Sequence, residues 1–283
     1  MKILVTGSSG FIGRHLCARL KQEHEVFYLA RPHDSSQVPG ANGNTFYFAD
    51  NNISALSQFI RDNQIEGIIH LASLYLQSHK EENIPDLIQS NVYFGTAVLE
   101  AAAKEDVRWF INTGTIWQNY NAPDGSDAYC PVNLYAATKQ AFMDIAKFYS
   151  ETTDICICTL KLCDTYGPND TRRKIYALFD EIARTGETLQ MSAGEQKMDI
   201  LHIDDVVKGF IHLAQMLHSG ENLRSEYVLS SGKQLSLREL AAKYEQEHHV
   251  HLNIDWGARP YRVREVMKPY RGIVLSGWKS CKG

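Results

Sequence analysis

Tyr135 and Lys139 stand four residues apart in Tyr135-Ala136-Ala137-Thr138-Lys139, so on a helix the phenol and the ammonium point into the same space. A tyrosine titrates near pKa ~10 unaided. An ammonium close by favours the phenolate and brings the phenol toward use as an acid or base near neutrality. Tyr-x-x-x-Lys alone is common, so its setting matters. Upstream, an apolar run ends in Thr113-Gly114-Thr115, and the chain begins with Gly7-Ser8-Ser9-Gly10-Phe11-Ile12-Gly13 directly after Met1-Lys2-Ile3-Leu4-Val5-Thr6. Gly7 allows a sharp turn off a strand. Gly10, without Cβ, lets backbone close on a pyrophosphate at a helix N-terminus, and Gly13 lets helix and strand pack closely. The spacing is one residue longer between the first two glycines than in G-x-G-x-x-G.

The elements that must position these groups follow from periodicity. Leu16 and Leu20 mark one face of a helix after the glycine turn, and Glu25 to Ala30 is a second strand, giving an opening βαβ unit. A polar stretch, Arg31 to Ser36, precedes a strand at Thr45 to Asp50. Then come a helix at Ile53 to Asp62, a strand at Ile65 to Ala72, a helix at Ile84 to Ala103 and a strand at Val107 to Thr113. Apolar strands alternating with helices predict an α/β fold, a Rossmann-type doubly wound parallel sheet covered on both faces. After Gly167-Pro168-Asn169-Asp170 the rhythm breaks. A helix follows Thr171-Arg172-Arg173-Lys174 and runs through Ala183, and another runs from Asp204-Asp205 to about Leu217. The expected division is a dinucleotide-binding domain over 1–166, with 199–230 packing back on it. A smaller, interleaved substrate lobe takes 167–198 and 231–283.

The composition narrows the function. With 44% hydrophobic and 22% charged residues the chain reads as soluble and globular, and a net charge of -4 without a basic block argues against nucleic acid. No run reaches a membrane span, and the first residues already form a strand, which leaves no room for a signal peptide. The six cysteines, none in C-x-x-C, read as reduced core residues of a cytoplasmic protein. Cys156 and Cys158 are expected on one side of a buried strand. His70 reads as a packing or loop residue, and no metal site is expected. Asp204-Asp205 reads as a helix cap, and Arg172-Arg173-Lys174 as a solvated face.

Taken together, the glycine turn, Ile69-His70-Leu71-Ala72, Thr113-Gly114-Thr115, Tyr135-x-x-x-Lys139, Tyr166-Gly167-Pro168, His202-Ile203-Asp204-Asp205-Val206 and Ser276-Gly277-Trp278-Lys279 resemble the extended short-chain dehydrogenases/reductases over nearly the full length. Gly194-Glu195-Gln196 before Asp199, and the run from Gly67 to Tyr75, are most similar to the CDP-abequose synthase-type 4-ketoreductases of that family. The resemblance implies that Tyr135 donates a proton to a ketone oxygen, that Lys139 lowers its pKa and holds the nicotinamide ribose, and that Thr113 hydrogen-bonds the substrate oxygen. A strand-end hydroxyl can equally satisfy local backbone. Cofactor contacts are implied for Gly7, Ser9, Gly10, Phe11, Ile12, Gly13, Arg31, Asp50, Asn51, Leu71, Ala72, Ser73 and Asn91 as well as for Tyr135 and Lys139. Substrate contacts are expected from Thr115, Asp164, Arg173, Lys197 and Arg262, with Arg259 a further candidate. The implied partners are a nucleotide-diphosphate sugar and a second copy of the chain, joined through the helices that hold Asn91 and Tyr135.

Charge then bears on the cofactor. An acid ending the second strand would accept the ribose 2′-OH of NAD, but here Leu29-Ala30-Arg31 offers a guanidinium, which suits the 2′-phosphate of NADPH. NADPH is expected, NAD less so, which favours net reduction over an NAD-retaining 4-epimerase. A redox-silent dinucleotide-binding regulator would be expected to lose the Tyr/Lys pair. Three departures from the family pattern stand out: Asp164 for a usual Asn, Met198 where a phosphate-clamping Arg is common, and Trp117-Gln118 for the frequent Tyr-Gly.

Overall fold

Each strand near the N-terminus alternates between two cores. In β1 (Lys2–Thr6) Ile3 and Val5 join one buried cluster while Leu4 joins another on the opposite face. The period-two geometry of a strand makes this unavoidable once helices cover both sides. The computed structural model describes residues 1–32, 43–123 and 126–282. The His33 to Ser36 part of the expected polar stretch lies outside them.

The chain runs through α1 (Phe11–Leu20), β2 (Glu25–Ala30), β3 (Thr45–Tyr47), α2 (Ile53–Asn63) and β4 (Gly67–His70). It continues through α3 (Ile84–Ile88), a π-helical turn at Gln89–Tyr93, α4 (Phe94–Lys104), β5 (Trp109–Thr115), α5 (Leu134–Thr152) and β6 (Cys156–Leu162). Then follow β7 (Asp164–Tyr166), α6 (Ile175–Thr185), β8 (Leu189–Met191), β9 (Lys197–Met198), β10 (Ile200–His202), α7 (Ile203–His218) and β11 (Glu226–Leu229). The last are β12 (Leu235–Ser236), α8 (Leu237–His248) and β13 (Ile254–Trp256).

Seven strands form one sheet in the order β11-β6-β5-β4-β1-β2-β3, every neighbouring pair parallel. The chain winds outward from β1 to β3 and then returns to lay β4 on the other side of β1. That reversal opens a crevice at the carboxyl ends of β1 and β4, where doubly wound sheets bind ligands. A third cluster, around Phe179, Ile182, Leu240 and Tyr244, is the core of a smaller lobe made by α6, α8 and the short pairs β8–β13 and β9–β12.

Several expectations need correcting. The helix foreseen over Ile84 to Ala103 is interrupted by the π turn, because Asn91 makes its hydrogen bonds inward to neighbouring elements. Cys156 is exposed and Cys158 buried, since β6 begins at Cys156 before its flanking helices cover it. The segment after Met267 does not stay with the small lobe. Tyr270, Leu275 and Trp278 pack into the sheet core and Val274 bridges to Val228 of β11.

Asp205 explains how that segment is fixed. Its buried carboxylate Oδ2 accepts from Ser280 Oγ (3.0 Å), Cys281 N (2.9 Å) and Lys282 N (2.8 Å), and its carbonyl accepts from Trp278 Nε1 (3.0 Å). Burial alone would raise its pKa. The Lys282 and Cys281 N–H groups, the Ser280 hydroxyl and the Lys208 charge outweigh that and hold it low. Asp205 therefore does more than start a helix.

Candidate active site

Tyr135 reaches its place because it stands in the first turn of α5, two residues after the N-cap Asn133. The Oδ1 of Asn133 accepts from Ala136 N at 2.9 Å, while its Nδ2 donates to Gln77 O at 2.9 Å. The first turn of α5 is thereby fastened to the loop after β4. On one side of Tyr135 the Ser73 hydroxyl faces the phenol. On the other, the Tyr75 ring meets it edge-on, with centroids 5.1 Å apart.

These two neighbours belong to different cavities. Ser73 lines a cleft of about 710 Å³ together with Gly7, Ser9, Gly10, Arg31, Asp50, Asn51, Leu71 and Ala72. Tyr75 lines a cavity of about 560 Å³ between the sheet and the small lobe. Tyr135 lies between these two residues and is not itself in the lining of either cavity.

The glycine turn is compact for a steric reason. A Cβ on Gly13 would lie 2.1 Å from Gly7 O, and one on Gly7, at φ +69°, would lie 2.7 Å from Ala72 N. Gly10 differs: its Cβ position meets only Gly7 O, at 3.3 Å, so that side is open. Gly10 is also the N-cap of α1 and brings no side chain to cap it. The helix's first N–H groups are thus left for an anion. Phe11, Ile12 and Gly13 do not line the cleft; Phe11 and Gly13 are buried beneath it. Asp50 and Asn51 line it from a turn with φ of 52° and 53°.

Burial dominates the titration of the pair. It pushes the Tyr135 phenol up to about 12, opposed by the Ser73 hydroxyl and the Lys174 charge. Lys139 is 1% exposed, and burial pulls its ammonium down to about 8. The sequence predicted that Lys139 would lower the Tyr135 pKa. In the structure it is Lys174 that acts in that direction, while the Lys139 charge is felt by His70. The phenol is consequently protonated at neutral pH. His70 is fully buried among Phe94, Phe110 and Phe142, with Nδ1 3.0 Å from Thr6 Oγ1 and its pKa pulled down to about 3 by burial, so it packs and does not ligate. Among the described residues no group of three or more His, Cys, Asp or Glu is placed to hold a metal.

The two threonines ending β5 part company. Thr113 Oγ1 is buried without a hydrogen-bond partner, the state of a hydroxyl that can still bond a ligand. Thr115 is occupied: its Oγ1 accepts from Trp117 N at 3.3 Å and caps the short turn Ile116–Gln118. Asn91 is likewise a buried clamp and not a wall of the cleft, with all its hydrogen bonds directed to protein.

The inter-lobe cavity is rich in cations: Arg173, Lys174, Lys197, Arg259, Arg262 and Arg264 line it, against Asp164, Asp199 and Glu265. All three acids are already matched. Asp199 accepts from Ser231 N (2.9 Å) and Ser231 Oγ (2.7 Å), and Asp164 pairs with Lys174 at 2.7 Å. Arg262 lies 3.6 Å from Glu265, and Arg173 is exposed beside Glu181. The basic run expected as a solvated face is therefore mostly engaged. Arg172 donates to Asp170 and Thr165 and lies 4.2 Å over the Phe11 ring, and Lys174 lies 5.0 Å over Tyr75. Sequence reasoning missed Tyr75 and Lys174 as site residues. The departure at Asp164 was the available signal, since an added acid in a closed site calls for a cation.

Residues 3–229 match the NAD dependent epimerase/dehydratase family. The chain belongs to that family. It is similar to the CDP-abequose synthase of Salmonella muenchen, 26% identical over 99% of this chain and 92% of the relative. The CDP-abequose synthase of Yersinia pseudotuberculosis is also 26% identical, over 96% and 94%. Among solved structures, the NAD complex of the Thermus thermophilus UDP-glucose 4-epimerase superposes with a TM-score of 0.77 at 21% identity, covering 100% of this chain and 95% of that one. The UDP-glucose-4-epimerase of Stenotrophomonas maltophila, with NAD and formylated UDP-arabinopyranose, gives 0.82 at 20% identity over 100% and 94%.

Proposed function

We propose that this family member reduces the 4-keto group of a nucleotide-linked 6-deoxy- or 3,6-dideoxyhexulose, CDP-linked, with NADPH, in the cytoplasm, supplying a sugar for surface polysaccharide. The observation that carries this reading is the place of Tyr135: a phenol protonated at neutral pH, with Ser73 of the glycine-turn cleft on one side and Tyr75 of the inter-lobe cavity on the other. A protonated tyrosine is an acid, which is what ketone reduction requires. The full-length likeness to CDP-abequose synthases supports the substrate class.

The cleft fits a dinucleotide: an uncapped helix N-terminus at Gly10 for the pyrophosphate, and Arg31 in the cleft wall for a 2′-phosphate. NADPH, when bound, supplies a hydride to the carbonyl carbon. Tyr135 gives its phenolic proton to the carbonyl oxygen, Thr113 Oγ1 donates a hydrogen bond to that oxygen, and Lys139 holds the nicotinamide ribose. The phenolate left behind recovers its proton from solvent. Arg259, Arg262 and Lys197 in the inter-lobe cavity neutralise the substrate diphosphate.

Incubation with NADPH and a panel of 4-keto-6-deoxy and 4-keto-3,6-dideoxy sugars on CDP, dTDP, GDP and UDP tests the reading. Loss of nicotinamide absorbance is expected in the CDP series. Silence across the panel, from protein that binds NADPH, would overturn it. Arg31→Asp is expected to weaken NADPH by about a hundredfold, since a lost charge-assisted pair becomes a repulsion, and to leave NADH nearly unchanged. Equal losses for both cofactors in a fluorescence titration would remove the 2′-phosphate assignment. Exposed Ile84 and Ile88 on α3 and Phe148 on α5 support a homodimer through these helices, which sedimentation equilibrium would test.

A further inference from the structure

A set of hydrogen bonds joins the loop after β4 to α5 and closes around Tyr135. Ser73 Oγ donates to Asn91 Oδ1 (3.1 Å), and Leu74 N donates to the same oxygen (2.7 Å). Asn91 Nδ2 donates to Leu74 O (2.9 Å) and to Thr138 Oγ1 (3.0 Å). Thr138 Oγ1 in turn donates to Tyr135 O (2.8 Å).

The directions of these bonds are forced. A backbone N–H only donates and a carbonyl only accepts, so the two Leu74 contacts fix which end of the Asn91 amide is oxygen. Four bonds use both lone pairs and both protons of that amide, so Asn91 has nothing left for a ligand. Its Oδ1 can only accept, which commits the Ser73 proton to Asn91 and leaves the Ser73 lone pairs for a different donor. The donor that Ser73 faces is the Tyr135 phenol. The π turn that carries Asn91 gives the helix the extra residue that aims this side chain at both Leu74 and Thr138.

We propose that Ser73 is a positioning residue for the reaction: its hydroxyl, oriented by Asn91, holds the Tyr135 phenol between Ser73 and Tyr75 and stabilises the phenolate after proton transfer. Without substrate the phenolic O–H donates to Ser73 Oγ; with a ketone bound it turns to the carbonyl oxygen, which takes the proton. After that transfer, the Ser73 O–H turns from Asn91 Oδ1, which keeps the Leu74 N–H, to the phenolate oxygen. No proton leaves Ser73 and none is relayed through Asn91. The role rests on Tyr135 being the acid, and it is additional to the contact Ser73 can make with a cofactor in the cleft.

Ser73→Ala is expected to lower kcat about tenfold, the scale of one lost hydrogen bond to a charged oxygen, with KM for the sugar unchanged. Without the hydroxyl the phenolate is less stable, so the Tyr135 pKa rises. Reduction needs the protonated phenol, and the alkaline limb of the kcat profile therefore moves to higher pH. Ser73→Thr, which keeps the hydroxyl, is expected to restore both. A kcat and alkaline limb unchanged in Ser73→Ala, or a loss confined to NADPH affinity, would overturn the proposal. The Tyr135 Cζ resonance in protein carrying labelled tyrosine, assigned by its loss in Tyr135→Phe, reads the phenol without any substrate. It is expected to shift in Ser73→Ala and return in Ser73→Thr, and its immobility would sink the role of Ser73. A wild-type protein inactive on every ketose would remove the reductase assignment and still leave this resonance to decide on Ser73.

Discussion

Tyr135→Phe is expected to reduce turnover by roughly a hundred- to ten-thousand-fold, the range for removing a positioned general acid, while NADPH binds as before. The substitution deletes one oxygen and keeps the ring. The edge-on contact with Tyr75, centroids 5.1 Å apart, survives, and so does the Asn133 cap of α5. Nothing in the glycine turn touches the lost atom. The expected signature is therefore a fall in kcat with an unchanged dinucleotide Kd and an unchanged Tm. Raising the phenol to about 12 means that the wild-type acid is fully protonated at neutral pH, so the loss cannot be recovered by moving to lower pH. Turnover that survived in Tyr135→Phe would require the proton to come from elsewhere, and Tyr135 would lose its place in the reaction.

The second large effect is steric and falls on binding. A methyl on Gly13 would sit 2.1 Å from Gly7 O, 2.7 Å from Ser8 Cα and 2.9 Å from Gly7 C, all backbone atoms that no side-chain rotation can clear. In Gly13→Ala, α1 must separate from the turn. Overpacking of this kind costs about 1–3 kcal/mol, and the turn that offers its N–H groups to a pyrophosphate loses its shape. NADPH affinity is expected to fall at least about tenfold, with a lower Tm. Gly10→Ala is the internal comparison. Its Cβ meets only Gly7 O, at 3.3 Å, so the fold is expected to tolerate it and the loss to appear in affinity alone. A Gly13→Ala protein with wild-type Tm and NADPH affinity would show that the turn is not held by this contact.

The local part of this site was legible because it depends on short-range rules. Three glycines between a strand and a helix, and a tyrosine and lysine on one helical face, are fixed by spacing, and β2 (Glu25–Ala30), α2 and α7 fall within a residue of their sequence bounds. Other features depended on distant partners. Thr113 and Thr115 are the same residue type two positions apart, yet one hydroxyl is unpartnered and the other caps a turn. Lys174 looked like one of three solvated cations, and only the fold brought Asp164 and Tyr75 to it. Asp204-Asp205 looked like a helix start, and only the fold set Ser280, Cys281 and Lys282 against Asp205.

The sequence by itself determined the parallel sheet, the glycine turn and the Tyr-x-x-x-Lys pair, because periodicity and spacing act within a few residues of the chain. The tertiary structure decided the charge around Tyr135. Lys139 is near in sequence but buried, with its influence on His70, whereas Lys174 is distant in sequence and acts on the phenol. Electrostatic influence follows distance through space and loss of solvent, and neither can be read along the chain.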